Sequence, residues 1–376
     1  MLLTSGNVDD YCKYCLGRTF NITLCSENDF VDCYMYPKRM FDFEYLVPVT
    51  VLLICIFLSG LIGNLSVCTV IARHPVLRSE TNAYLFSLAV SDLFLLVFGL
   101  PHELWSYWHR YPYIFGDFLC RFVPFMTATG TYSSVLTIVA FSVERYEAIC
   151  HPLRIRSRSV KRVVIALCAA WTISAAAALP ILHVYNIEQR VTAYPTEAGP
   201  NNPDLSTVCY VPNESKYKYY DNFYIGSSVV FFFIPMAILL LAYTKIAIFI
   251  RKNRQLSRNC GILNSCSENR KTFKMLAAVV LAFFACGAPY HYQRVFTPRV
   301  KPPEVMAYYR KVTVVTGIFY YFSATVNPIL YNVMSKRYRK AFMDIFWTKN
   351  GSHQSTATPA MRIKFSGKST TQTLLN

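Results

Sequence analysis

Ser323-Ala324-Thr325-Val326-Asn327-Pro328-Ile329-Leu330-Tyr331 is the stretch that decides the fold. It places an amide, a proline and a phenol inside an otherwise apolar run. In a membrane helix a proline withholds one backbone donor, and the carbonyl it frees must find another partner. Asn327, beside the break, can supply that donor. Tyr331 follows four residues later and falls near the same helical face. Polar groups in lipid are costly, so these should face a protein interior or a water-filled space. A kinked, internally satisfied helix would account for this run alone. It does not account for matching irregularities in six other apolar segments.

The chain has 376 residues, of which 53% are hydrophobic and 15% aromatic, with a mean hydropathy of +0.28. That balance suits a polytopic membrane protein, not a soluble domain. Apolar segments long enough to cross a hydrocarbon core of about 30 Å fall near 45–71, 82–107, 117–149, 163–184, 222–250, 272–297 and 308–333. The predicted fold is an all-α membrane protein with a bundle of seven transmembrane helices. Residues 1–44 form an arm before it, and 45–333 form the bundle. Residues 334–347 alternate basic and apolar groups (Lys336, Arg337, Arg339 and Lys340 against Tyr338, Phe342, Ile345 and Phe346), the pattern of a short amphipathic eighth helix on a membrane surface. Residues 348–376 are rich in Ser and Thr, which suits a disordered, phosphorylatable tail.

The net charge of +17 is unevenly placed. Basic residues follow the first, third, fifth and seventh segments: Arg73 and Arg78; Arg154, Arg156 and Arg158; Arg251, Lys252 and Arg254; and Lys336 and Arg337. The opposite stretches hold Asp9, Asp10, Asp29 and Asp32. Such asymmetry puts the N-terminus outside and the C-terminus in the cytoplasm. The basic groups then meet anionic membrane lipids and a cytoplasmic partner, so no nucleic acid is needed to explain them. Residues 1–16 lack the pattern of a cleavable signal, so the first helix is expected to direct insertion. Of 13 cysteines, Cys12, Cys15, Cys25 and Cys33 lie in the outer arm, where three pairings are open. Cys120 and Cys209 are also external by topology and could pair. Asn21 and Asn213 open external glycosylation sequons.

Several helices carry a polar residue that lipid would reject: Asn64, Asp92, Ser134, Ser323 and Asn327. An intramembrane Asp is a functional candidate. Asp92, Ser134, Ser323 and Asn327 could coordinate a sodium ion, or form a hydrogen-bonded network with no ion; both readings stand. Glu144-Arg145-Tyr146 ends the third helix at the cytoplasmic boundary, where an acid can hold a base until a partner takes it. Prolines at 235, 289 and 328 give three helices hinge-like breaks, as a two-state switch requires. No metal-spaced His/Cys cluster, nucleophile motif or phosphate loop is present, so neither enzymatic activity nor a cofactor is expected beyond that possible sodium. The absence of an inverted repeat weighs against a transporter. Charged residues spread along a path, as a channel would need, are missing too.

These motifs, in this order, closely resemble the rhodopsin-like G-protein-coupled receptors over about residues 45–347. The resemblance rests on Asn64, Leu88-Ala89-Val90-Ser91-Asp92, Cys120, Glu144-Arg145-Tyr146, Trp171, Pro235 with Tyr243, Phe283 with Cys286 and Pro289, and Asn327-Pro328-Ile329-Leu330-Tyr331. It implies that Glu144, Arg145, Tyr146, Tyr243, Phe283, Pro289, Asn327, Pro328 and Tyr331 serve coupling and switching. It implies as partners a heterotrimeric G protein, with arrestin and receptor kinases on the tail, and a location in the plasma membrane. Leu100-Pro101-His102-Glu103-Leu104-Trp105, Trp108, Tyr111-Pro112-Tyr113-Ile114-Phe115-Gly116, Tyr290-His291-Tyr292-Gln293-Arg294 and Gly317-Ile318-Phe319-Tyr320-Tyr321-Phe322 look like the neuromedin U and pyrokinin/CAPA receptors. That group implies an extracellular amidated peptide with an Arg-containing C-terminus, and signalling through Gq and calcium. A ghrelin-like or thyrotropin-releasing-hormone-like ligand is the alternative.

Two departures fall in the expected cavity. The family's usual Trp before the sixth-helix proline is Gly287, in Cys286-Gly287-Ala288-Pro289, which shifts the trigger to other aromatics, with Phe283 and Tyr290 foremost. An acid common in the third helix of the group is Ala128. Thr127 stands where amine receptors carry Asp, and Tyr321 where light receptors carry the retinal-binding Lys. Glu103 lies three turns, about 16 Å, beyond Asp92 on nearly the same face. Its acid could meet a ligand arginine, or a base of the chain such as Arg294 or Arg110. Gly287, Tyr290, His291 and Arg294 share one face of the sixth helix. With Thr127, Tyr320 and Tyr321 they complete the expected ligand set.

Overall fold

The computed structural model describes residues 31, 33, 39–77, 79–151, 160–189, 203–210, 214–259, 263–296 and 303–347. The described chain is seven long helices, a two-stranded hairpin and one shorter helix. Helix α1 spans Phe43–Arg73, α2 Glu80–Trp108, α3 Gly116–Cys150 and α4 Val160–Val184. The hairpin is β1 (Asn186–Gln189) and β2 (Thr207–Tyr210). Helix α5 joins Glu214–Ser228, a π-helical turn at Val229–Phe233, and Ile234–Asn259; α6 is Leu263–Phe296, α7 Pro303–Met334 and α8 Lys336–Phe346. Six of the long helices are apolar and long enough to cross a membrane. The other, α6, begins with Asn, Ser, Glu, Arg and Lys, and becomes apolar only in its second half. The chain is a multi-pass membrane protein built as a seven-helix bundle. The observed α5 and α6 run longer than their apolar segments. Backbone pairing continues into water; a helix of 34 residues reaches about 50 Å, well beyond a core of about 30 Å.

The break at Pro328 shows why these helices stay together. Proline frees the carbonyl four residues back, that of Ala324. Its replacement donor is not Asn327, as the sequence suggested, but Asn64 of α1. Asn64 Nδ2 donates to the Ala324 carbonyl at 2.9 Å and to Gly60 O at 2.9 Å. Asn327 is thereby left for Asp92, donating Nδ2 to Oδ2 at 2.8 Å. Close approach makes this possible. A Cβ on Gly63 would lie 2.9 Å from Pro328 Cβ, and one on Gly60 only 2.6 Å from Leu96 Cδ1. Any larger residue would push α1 off the bend of α7 and off α2.

Two further irregularities each end two residues before a proline, Pro101 and Pro235, whose missing N–H leaves the Val97 and Phe231 carbonyls without their α-helical donor. Helix α2 widens into a π turn at Leu95–Gly99 and α5 at Val229–Phe233. Each wide turn shifts the face presented beyond it. Elsewhere, side chains tie helices in pairs. Trp171 Nε1 donates to Ser87 Oγ at 3.1 Å, and Ser87 shares a 3.2 Å bond with Thr137, so α4, α2 and α3 meet in one polar chain. Gln293 bridges α6 to α7, donating to Thr313 Oγ1 and accepting from Thr316, each at 2.7 Å.

Cys120 at the outer end of α3 is bonded to Cys209 of β2, with Cα atoms 5.7 Å apart. This tethers the hairpin over the outer mouth, and Tyr113 N adds a bond to Thr207 O at 2.9 Å. Cys33 is also held in a disulfide. Cys12, Cys15 and Cys25, the sequons at Asn21 and Asn213, and the 348–376 tail lie outside the described residues. At the other end, Ser335 caps α8 by accepting from Tyr338 N at 3.2 Å. Arg339 caps α7 through the Asn332 and Val333 carbonyls at 3.0 and 2.6 Å.

Asn64→Ala leaves a buried carbonyl without a donor, a cost of about 1–3 kcal/mol. A clear fall in the melting temperature of the purified protein is expected. Ser66→Ala serves as control, since that exposed hydroxyl only bonds Ile62 O of its own helix. Equal melting temperatures for the two variants would show that the Ala324 carbonyl finds another donor.

Candidate functional site

The seven residues of the expected ligand set lie together. Glu103, Thr127, Tyr290, His291, Arg294, Tyr320 and Tyr321 border a single opening of about 220 Å³ beneath the hairpin. The sequence argument for Glu103 assumed an unbroken α2. The π turn instead shifts the phase beyond it by about 100°, and the inward stripe there is Gly99, His102, Glu103 and Ser106, all bordering the cavity. Their i, i+3, i+4, i+7 spacing keeps them on one face.

Glu103 is held by two phenols. Tyr107, one turn further along α2, donates to Oε1 at 2.5 Å, and Tyr321 of α7 donates to Oε2 at 2.5 Å. These are short, charge-assisted bonds to a carboxylate. Two glycines make room for them. A Cβ on Gly99 would lie 3.1 Å from the Tyr321 hydroxyl, and one on Gly317 3.4 Å from Glu103 Oε1. Among the described residues no Lys, Arg or His forms an ion pair with Glu103. The base-bracing alternative is therefore not formed here. Arg294 instead lies between two rings, 4.3 Å from the centroid of Tyr224 and 4.7 Å from that of Tyr290. The phenols orient the acid, and no base among the described residues is paired with it.

The opposite wall is aromatic and tightly bonded. Tyr290 stacks on Tyr320 at 4.6 Å and 16°, and Tyr320 is hydrogen-bonded to Thr131. Thr127 returns its hydroxyl to Val123 O at 2.8 Å, so its methyl faces the cavity floor beside Gly99. His291 bonds Ser228 at 3.1 Å and stacks on Phe232 at 4.3 Å. At the rim, His102 Nε2 bonds the Tyr113 hydroxyl at 3.1 Å. Burial raises the Tyr113 pKa to about 12, so it remains a neutral phenol at physiological pH.

Deeper in the bundle, Asp92 and Asn327 meet directly. Ser323 donates to the Tyr320 carbonyl at 2.6 Å, and Ser134 is buried. Asn327 presents its amide nitrogen to Asp92, and Ser323 turns its hydroxyl to its own helix. Below lies an apolar plug that includes Leu88, Ile138, Val279 and Tyr331. The buried Tyr331 hydroxyl has no hydrogen-bond partner. At the end of the bundle opposite the hairpin, Arg145 Nη2 donates to Glu144 Oε1 at 3.1 Å and to Thr81 Oγ1 at 2.5 Å. Tyr243 bonds Ser142 at 3.3 Å, and Lys245 sits 6.0 Å above the Tyr146 ring. Phe283 meets Phe284 edge-on at 5.6 Å. The cation of Arg145 is thus tied to α2 and to its own neighbour.

Sequence reasoning missed Tyr107, Thr131, Ser228 and Phe232. Tyr107 was findable, being four residues from Glu103. Phe232 was not, because Val229-Val230-Phe231-Phe232-Phe233 is apolar throughout and gives no phase.

A model of the seven-transmembrane receptors of the rhodopsin family matches residues 63–331. The chain belongs to that family, whose members are receptors and not enzymes. It is 34% identical over 341 residues to mouse neuromedin-U receptor 2, spanning 88% of this chain and 83% of that one. To the pyrokinin-1 receptor of Drosophila melanogaster it is 29% identical over 371 residues, 82% of each. To the rabbit growth hormone secretagogue receptor type 1 it is 34% identical over 327 residues, 85% and 86% of the two chains. Within the family it falls in the neuromedin U and pyrokinin group of peptide receptors.

The cytoplasmic geometry predicts opposite effects for two variants. Arg145→Ala should abolish G-protein nucleotide exchange at matched surface expression. Glu144→Gln, which weakens the lock on Arg145, should raise exchange without ligand. Wild-type exchange in both would remove Arg145 from the switch.

Proposed function

We propose that this receptor recognises an amidated neuropeptide whose C-terminal segment contains arginine, with the guanidinium meeting Glu103. The observation that carries the reading is the Glu103 carboxylate, aimed into the cavity by Tyr107 and Tyr321 with no base of the described chain paired to it. An acid in a water-poor site favours a cation, and a guanidinium can engage both carboxylate oxygens at once. Arg294, 4.3 Å from the Tyr224 ring centroid and 4.7 Å from that of Tyr290, borders the cavity, where its guanidinium would meet a ligand carbonyl or terminal amide. The aromatic wall of Tyr290 and Tyr320 offers rings with polar tips to the peptide's side chains. The relatives named for neuromedin U and pyrokinin support this class of ligand.

In this reading the receptor sits in the plasma membrane with its N-terminus outside and signals through Gq and calcium release. Ligand binding shifts the population toward a packing in which the cytoplasmic end of α6 swings out. Arg145 then leaves Glu144 and Thr81, and Tyr243 and Tyr331 rearrange, so that Tyr331 gains the partner it lacks. A G-protein helix enters the resulting cleft, ringed by basic residues of the inner loops. Receptor kinases and arrestin act on the Ser/Thr-rich 348–376 segment. The basic and aromatic faces of α8 rest on the inner lipid surface.

The test is a calcium-mobilisation screen in transfected cells. It would include a peptide series ending Pro-Arg-x-amide, the same peptides as free acids, and an acylated ghrelin-like peptide. The amides should respond, the free acids should be far weaker, and a Gq inhibitor should silence the signal. A response to the acylated peptide alone would favour the secretagogue-type ligand and remove the arginine from the account.

A further inference from the structure

We infer that Phe232 of α5, seated in the notch of Gly287, is the brace that holds the α6 hinge straight. Its release couples the cavity to the cytoplasmic swing of α6. The ring is almost wholly buried, and it grips three positions of α6. A Cβ on Gly287 would lie 2.9 Å from its Cε2, so the glycine is an empty socket that the ring fills. Phe284 meets it edge-on, at 5.5 Å and 71°. His291 lies flat on it, at 4.3 Å and 19°. Positions 284, 287 and 291 are i, i+3 and i+7, one face of the helix.

Pro289 lies inside α6 between the last two of those positions. One side chain therefore touches the helix both below and above its proline break. A rigid ring spanning a hinge opposes bending there, and protein interiors resist small displacements of packed groups. The sequence reading assigned the trigger to Phe283 and Tyr290. Neither occupies the socket: Tyr290 is stacked on Tyr320, and Phe283 packs edge-on against Phe284.

The brace is also connected to the cavity. Phe232 belongs to the π turn Val229–Phe233, a wide turn of the kind frequently found at functional sites. Immediately before that turn, Ser228 is bonded to His291 at 3.1 Å. Both Ser228 and His291 border the cavity, and the adjacent Phe231 is stacked on Tyr132 of α3 at 4.0 Å. A ligand group that displaces the His291 ring or takes the Ser228 hydroxyl moves the upper face of the brace. Phe232 then leaves the Gly287 socket and α6 is free to bend at Pro289. This coupling does not depend on which peptide binds.

The experiment uses the full-length receptor in lipid nanodiscs without ligand. G-protein nucleotide exchange per folded receptor is read together with the distance between spin labels on the cytoplasmic ends of α3 and α6. Phe232→Leu loosens the brace, and Gly287→Ala drives the ring from its socket. Each single variant should raise exchange and lengthen the distance. The double variant, a larger socket residue with a smaller brace, should return both readings toward wild type. Should Gly287→Ala fail to reach the membrane, Phe232→Leu alone carries the test through its raised exchange. Wild-type readings in the single variants, or a double variant equal to the product of the two, would overturn the inference.

Discussion

Pro328 leaves the Ala324 carbonyl without its helical donor in a segment surrounded by lipid, where an unsatisfied backbone group costs several kcal/mol. The bundle resolves this with a side chain from a distant part of the chain, Asn64, 260 residues away in sequence. To reach it, α1 must touch the bend itself, which is why Gly60 and Gly63 face α2 and α7 at distances no side chain would tolerate. Once Asn64 covers the carbonyl, Asn327 is free to bond Asp92, and α7 is fixed against α2. That registration sets the height of Tyr321 opposite Glu103. The orientation of the outer acid thus descends from the satisfaction of one inner carbonyl.

Much of this architecture can be read in the sequence because lipid enforces simple rules. Apolar length located the seven helices, the Lys/Arg asymmetry supplied a topology, and the seven chosen cavity residues converge on one opening. Specific partners were harder. The sequence showed that Pro328 needs a donor, but adjacency favoured Asn327, whereas three-dimensional packing made it Asn64. The π turns of α2 and α5 were only half legible: Pro101 and Pro235 mark a break beyond each, but Leu95–Gly99 and Val229–Phe233 are apolar runs that do not show whether the break is met by a kink or by a wider turn. Phe232 stayed hidden for the same reason. Gly287 was conspicuous as a missing bulk, yet what fills it comes from another helix.

The cavity and the cytoplasmic lock are separated by the apolar plug around Leu88, Ile138, Val279 and Tyr331. The plug holds no charged side chain among the described residues, which favours a mechanical route through the packing of α6. The outer part of α6 is bound to α7 by the Gln293–Thr313–Thr316 bridge and to α5 by His291–Ser228. In the proposed brace Phe232 contacts α6 on both sides of Pro289, so the helix bends there only once the ring leaves the Gly287 socket. Arg145 is tied to Glu144 and Thr81, and the Tyr331 hydroxyl has no partner among the described residues; the proposed switch takes this arrangement as its closed state.

The central claim is that Glu103, oriented by two phenols, receives an arginine of the peptide. It is tested by binding measured in a four-way cycle: wild type and Glu103→Gln, each with the arginine peptide and with the same peptide carrying citrulline. The account predicts that Glu103→Gln weakens the arginine peptide by at least ~10-fold, or ~1.4 kcal/mol. It predicts that the citrulline peptide binds wild type poorly yet loses little more on the variant, because groups in contact couple whereas distant ones add. If the two losses simply multiply, the peptide arginine does not touch Glu103, and the carboxylate serves only to join α2 to α7 through Tyr107 and Tyr321.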